Sequence, residues 1–347
     1  MFEGATVGSV TEPDPDPRER RSKLVGLKLR ALVRDHLGDD SVAEPVGFAP
    51  GAALLHGDVA WVLLDDRPAD RLGAALVWAT RVGARSLQVI AEAGTGVLAR
   101  RAEAFSIPVS VWRSQGRLLT AAAPSPLPVS APAPPAHEAM RELIIAGGAT
   151  PLVEHGVLFG EVRGLEVCRV VDDPFDRAVR LEVGVGAHDR EAFQMLHGDV
   201  PTVESLARIV EAVALQRRVD ASPHPLNRLA AERFVRWRIE QDPDLVGAVA
   251  IRAVPPPLPR LNLKDPTPCV AAGTDRHGRA IVVVCSTGVE LDLVPFAADA
   301  RSAAEAADPG VDDTVRLVLA TPSRDRLPAI EQIAALLRQP VEFVPID

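Results

Sequence analysis

Two acids in the middle of the chain are where chemistry is easiest to place. In Gly164-Leu165-Glu166-Val167-Cys168-Arg169-Val170-Val171, a period of two sets Glu166 and Cys168 on one face and Leu165, Val167 and Val171 on the other. In Arg180-Leu181-Glu182-Val183-Gly184-Val185, the residues Arg180, Glu182 and Gly184 share a face. If the two segments are neighbouring strands, Glu166 and Glu182 stand side by side and could hold Mg²⁺ or Mn²⁺ between carboxylate oxygens. A helical acid, Glu138 or Glu142, could add a third ligand. The plainer reading makes both acids part of the solvent face of an antiparallel meander.

Histidines gather in the same stretch: His155, His188, His197 and His224, with His137 at its edge. His188-Asp189 and His197-Gly198-Asp199 put carboxylates beside imidazoles, as base–orienter pairs or mixed metal ligands do. No HxH or HxxxH spacing accompanies them. Further on, the segment from Pro225 to Arg238 carries Arg228, Arg233 and Arg236 with Trp237, a pattern that suits phosphate contact beside an aromatic. Its bland counterpart pairs Arg228, Glu232 and Arg236 at i, i+4 and i+8 as a solvated face, with Trp237 turned into the core.

Earlier in the chain, Gly94-Thr95-Gly96-Val97-Leu98-Ala99 has the G-x-G-x-x-G/A form, with Gly94, Gly96 and Ala99 as the positions that let backbone approach a pyrophosphate. A plain glycine turn fits equally. Asp65, Asp66 and Asp70 follow an apolar run, where open α/β sheets place ligands, although Asp70 also suits a helix N-cap. Other chemistries lack their residues. The three lysines, Lys23, Lys28 and Lys264, do not build a Walker A loop, and G-x-S-x-G is absent. Cys168, Cys269 and Cys285 have no CxxC spacing and are odd in number, which fits a reduced cytoplasm better than a disulfide framework or zinc knuckle.

The elements that must position these residues are punctuated by proline. Residues 121–136 and the second proline cluster at 253–260 read as extended spacers, and they separate three modules. The expected organisation is a charged, Pro-rich disordered tail (1–22), an amphipathic helix and its connection (23–43), an α/β module (44–120), a Pro/Ala-rich linker (121–136), a central module (137–245), a Pro-rich linker (246–264) and a second α/β module (265–347). Each outer module spells ββαβαβ. The first has a hairpin at 52–55 and 59–64, a helix at 69–82, a strand at 87–91, a helix at 96–105 and a strand at 109–112. The last has a hairpin at 269–273 and 280–285, then helix 293–307, strand 314–320, helix 326–338 and strand 341–345. Shared order makes them candidate internal repeats. The central module reads αβββαα: helix 137–146, strands 151–158, 161–171 and 178–186, and helices 202–217 and 225–241. The class is therefore mixed α/β, with two ββαβαβ modules flanking an αβββαα module.

With 347 residues the chain has room for two or three domains, and 47% hydrophobic residues exclude wholesale disorder. A formal charge of -9 works against non-specific nucleic-acid binding over the whole surface. No leader pattern opens the chain and no apolar run nears the ~18 residues of a membrane span, so a cytoplasmic protein without a membrane partner is expected.

The central helix–strand–strand order with its two acids resembles the core of the PD-(D/E)XK nuclease superfamily. That resemblance places the strand acid at Glu166 and the acid-x-Lys at Glu182-Val183-Gly184, with Glu142 as the helical acid, and implies Mg²⁺ or Mn²⁺. The lysine position, however, holds Gly184. The leading expectation is a non-catalytic binding or assembly protein with a degenerate nuclease-like centre and a protein partner. The alternatives are a metal-dependent phosphodiesterase acting on nucleic acid through Glu166, Glu182 and Glu142, and a small-ligand or nucleotide-binding α/β protein using Gly94, Gly96 and Ala99.

Overall fold

Strands of three to eight residues, several of them turned by residues at positive φ, build three separate sheets, and the chain is mixed α/β. A computed structural model describes residues 17–49, 51–173, 175–186, 190, 203–221, 224–259, 267–307 and 315–347, and only the backbone of residues 17 and 18. Two units divide the chain. One comprises residues up to Arg71 with Trp78–Ala102 and Ile107–Pro124, and the other comprises Leu72–Val77, Glu103–Ser106 and Ser125–Asp347.

Helix α1 (Pro17–Leu37) opens on a proline, whose fixed φ suits a first helical position, and carries Glu19 in its first turn. Residues 17–22, expected in a disordered tail, are therefore helical. Strands β1 (Val46–Phe48), β2 (Gly51–His56) and β3 (Val59–Leu64) form an antiparallel meander. Helix α2 (Leu72–Arg81), β4 (Ser86–Ala91), α3 (Thr95–Ala102) and β5 (Val109–Gln115) then add parallel strands, and β6 (Leu118–Ala121) returns antiparallel. The sheet order is β1-β2-β3-β4-β5-β6, so β1 and β6 extend the expected module at both edges. Leu29, Leu32 and Val33 of α1 bury themselves against Ala52, Leu54, Trp61, Leu63 and Ile90 of this sheet.

The central sheet differs from the expected three strands. It has four, β7 (Thr150–Glu154), β8 (Val157–Val162), β9 (Leu165–Asp172) and β10 (Val179–Val183), in the antiparallel order β10-β9-β8-β7. Two two-residue loops make the difference. His155 (φ 48°) with Gly156 (φ 83°), and Arg163 (φ 49°) with Gly164 (φ 78°), all occupy the left-handed region, as a type I′ hairpin requires. The first loop cuts the run expected as strand 151–158, and the second cuts 161–171. Helices α4 (Pro135–Glu138), α5 (Arg141–Ala146) and α6 (Val203–Gln216) accompany the sheet, and Ile144, Leu206 and Val213 join Leu158, Leu165, Val167 and Leu181 in its core.

The last sheet combines β11 (Ala248–Val254), β12 (Cys269–Asp275) and β13 (Ala280–Cys285), all antiparallel, with the parallel strands β14 (Arg316–Thr321) and β15 (Glu342–Pro345). These alternate with helices α8 (Leu293–Ala307) and α9 (Pro328–Ala335). Strand β11 lies inside the stretch expected as linker 246–264. Its apolar alternation pairs with β12 before Pro255 removes the donors a ladder needs. Helix α7 (Ala231–Gln241), expected in the central module, buries Val235 and Ile239 among Cys269, Ile281, Val283, Cys285 and Val318 of this last sheet. The proline segments are pinned at one turn: His155 N donates to Ser130 Oγ (3.1 Å), and His155 Nε2 lies 2.9 Å from the Pro256 carbonyl.

Candidate functional site

Glu166 and Glu182 are not direct cross-strand partners, because Glu182 lies opposite Arg169 and Val183 opposite Cys168. A bulge intervenes on the other side of β9, where Gly160 opposes Cys168 and Glu161 opposes Glu166. It resets the period-two alternation, so Cys168 turns into the core while Glu166 reaches forward along its own strand. There Arg169 grips Glu166 with both prongs of its fork, Nε and Nη2 each donating at 2.8 Å. The two acids do meet, but on a guanidinium. Arg190 places Nη1 3.3 Å from Glu166 Oε1 and Nε 3.2 Å from Glu182 Oε2.

The pairing continues outward. Arg180 lies 3.3 Å from Glu182 and donates to Asp173 at 2.5 Å. Asp173, Glu166 and Glu182 are thus set against Arg169, Arg180 and Arg190, three carboxylates to three guanidiniums. Glu166 is only 4% exposed. Its hydrogen bonds are the main reason the Arg169 guanidinium holds its proton more tightly than usual. A dication needs net negative charge on its ligands, and this set has none to offer. The helical acids stay apart: Glu138 forms a bidentate pair with Arg141 (2.7 and 2.8 Å), and Glu142 is exposed. Among the described residues no group of three or more His, Cys, Asp and Glu side chains converges as a metal site.

A second ion cluster absorbs the arginine helix. Leu229 has extended backbone and Ala230 has φ 47°, so the expected helix 225–241 is broken into a 3₁₀ turn (Pro225–Arg228) and α7. Arg228 is exposed on the turn, whereas Arg233 and Arg236 are buried at 5% and 1% exposure. Arg233 binds Glu161 and, at 2.6 Å, Glu154; Arg236 binds Glu161 and lies 3.4 Å from Glu240. Glu232 and Arg236 therefore face the interior, not solvent. Trp237 is partly buried, stacks on Phe234 at 5.4 Å and carries the Arg163 guanidinium 5.3 Å above its ring. Burial pushes the Glu161 carboxyl up, but Arg236 and Arg233 outweigh it and hold Glu161 below the usual carboxylate range. The signal for this cluster was an acid inside the apolar run Val157–Val162, since a carboxylate buried there demands a buried cation.

The remaining candidates have local partners. His137 Nε2 sits 3.0 Å from Asp172 Oδ1, and His224 Nδ1 accepts from Leu226 N at 3.3 Å as the cap of its 3₁₀ turn. His188 and His197 lie outside the described residues. Gly94 turns with φ 68°, where an added Cβ would lie 3.0 Å from Ala69 Cβ, and α3 begins at Thr95, ahead of Gly96 and Ala99. Asp65 receives two hydrogen bonds from Arg21 (2.7 and 3.0 Å) and Asp66 lies 3.9 Å from Arg71. Asp70 ends a 3₁₀ turn and does not cap α2, whose N-cap is Arg71. Cys168 is buried beside Gly160, and burial pushes its thiol up to about 12.

Among the described residues no helix is long and apolar enough to cross a membrane. No known family, no curated protein and no solved structure matches the chain.

Proposed function

We propose that the chain is a non-catalytic binding or assembly protein, in which the acid pair marked by the nuclease resemblance serves as an ion-paired structural element. One observation carries the reading: the Arg190 guanidinium stands between Glu166 and Glu182, where a catalytic cation would have to sit. Gly184 adds that the lysine position supplies no charge to orient a water. Supporting a protein partner are large apolar side chains left in solvent, Phe175 at 94% exposure and Leu24 and Leu27 of α1 at 66% and 53%. The outer modules are two repeats of one unit in this reading. What supports it is that β1 to β5 and β11 to β15 run in the same order, antiparallel, antiparallel, parallel, parallel. A cytoplasmic setting agrees with three free thiols.

Calorimetric titration of the full chain with Mg²⁺ or Mn²⁺ is expected to show no saturable binding in the millimolar range, and plasmid DNA or single-stranded RNA to stay intact. Arg190→Ala leaves Glu182 with Arg180 and Glu166 with Arg169, three carboxylates against two guanidiniums, and the net negative charge is expected to bring measurable Mn²⁺ uptake. Metal-dependent cleavage by the wild-type protein that vanishes in Glu182→Ala would overturn the reading.

A further inference from the structure

Two of the three cysteines, on consecutive strands of one hairpin, are brought together by the last sheet. Cys269 is the first residue of β12 and Cys285 the last of β13, and the register sets them directly opposite each other. Directly opposed residues of an antiparallel pair have Cα atoms about 4.5 or 5.5 Å apart. Both values lie within the roughly 4.4–6.8 Å span of a disulfide. The side chains share the face under α7, where both are free thiols at 2% and 0% exposure.

Their hydrogen bonds run in one direction. Cys269 Sγ donates to the Glu232 carbonyl at 3.3 Å, and Cys285 is hydrogen-bonded to Cys269. With the Cys269 proton committed to Glu232, the Cys285 S–H is the donor within the pair. Charge is uneven too: the Arg233 and Arg236 guanidiniums both feel Cys269, while Cys285, on which Arg236 also pulls, is still pushed well above the ordinary thiol range by burial and then by Cys269. Neither arginine is a surface charge, so solvent screens these interactions little.

We propose that Cys269 and Cys285 form a redox-active dithiol which a hydroperoxide converts to a cross-strand disulfide, Cys269 attacking and Cys285 resolving. The Cys269 thiolate attacks one peroxide oxygen and the O–O bond breaks, giving a sulfenic acid and a hydroxide that takes up the proton Cys269 released. The Cys285 sulfur then attacks the sulfenic sulfur, the S–O bond breaks, and its proton leaves with the hydroxyl as water. Two thiols and one hydrogen peroxide yield one disulfide and two waters. The pair closes the rim of the hairpin ladder, and hydrogen peroxide is close to water in size, so the reagent needs only a small opening beneath α7.

The test treats the reduced full-length protein with hydrogen peroxide, alkylates it under denaturing conditions and maps the peptides by mass spectrometry. Loss of two alkylatable thiols, with a 269–285 linked peptide and Cys168 still a thiol, is expected. In Cys285→Ser, dimedone should trap a sulfenic acid at Cys269; in Cys269→Ser, Cys285 should stay unmodified. Three thiols remaining after peroxide, a link between two chains, or oxidation of Cys168 ahead of the pair would each overturn the proposal. Equal trapping in both variants would overturn the assignment of the attacking sulfur.

Discussion

Glu161→Ala is expected to destabilise the second unit by about 3–5 kcal/mol, the usual consequence of removing one partner from a buried ion pair. Glu161 holds both Arg233 and Arg236, and all three are nearly inaccessible to water. Without it, Arg233 keeps Glu154 and Arg236 keeps the partly buried Glu240, so two buried guanidiniums share neighbours that already lie farther from Arg236. In thermal unfolding the loss corresponds to a fall in Tm on the order of 10 °C. A fall of less than a degree or two would mean the cluster is solvated in solution. Replacing Glu161 and Arg236 together by methionine should restore much of the stability, because the penalty comes from the uncompensated charge and not from the volume.

The same carboxylate gives the pH dependence its sign. Glu161 is held below its ordinary value of 4.5, so its contribution is fully present above that pH and is lost as pH falls through the lowered folded value. Glu240 works the other way, since burial raises it, but it is less buried and binds only the edge of Arg236. Acid unfolding of the wild type should therefore steepen below about pH 4.5 and flatten in Glu161→Gln.

How much of this was legible in the sequence depended on which punctuation it used. The outer modules were readable because their helices and strands alternate in long periodic runs bounded by Gly83, Gly94 and proline. The central module was misdivided because its hairpins turn on His155-Gly156 and Arg163-Gly164. Asn-Gly and Asp-Gly announce a two-residue loop, a signal that His-Gly and Arg-Gly give more weakly where an apolar residue follows at once, as Val157 and Leu165 do here. The candidate acids were legible as residue types, yet not as partners. A bulge at 166–168 breaks the alternation from which their faces were read, and Arg190 approaches from beyond the strand with no periodicity to mark it. The arginine helix misled for a related reason. Arginines spaced three and four apart look like a solvated stripe unless buried acids such as Glu154 and Glu161 are already known to wait beneath them.

The hairpin loop at Arg163-Gly164 is also a tight joint in the unit, and Gly164→Val should break it. Gly164 has φ +78°, a left-handed backbone that costs a side chain about 1–2 kcal/mol and a β-branched one more. Space is worse than conformation. A Cβ at this position would lie 2.3 Å from the Arg233 carbonyl oxygen and 2.8 Å from Phe234 N, both backbone atoms of α7. The loop has little room to retreat. Arg217, 1% exposed, donates to the Arg163 carbonyl at 3.1 Å and to the carbonyls of Leu226, Leu229 and Ala230, clamping the loop to the segment that leads into α7. Arg163 returns the grip through the carbonyls of Ala214 and Arg217 at 2.9 and 3.0 Å. Steric strain of this kind adds roughly 1–3 kcal/mol to the conformational penalty. Displacing α7 also pulls Arg233 from Glu161, so the total should approach that of Glu161→Ala, and the two changes together should fall short of their sum because they break the same cluster. Chemical denaturation of the two single variants and the double variant measures this directly. Full additivity would show that the glycine joint and the ion cluster hold the unit independently.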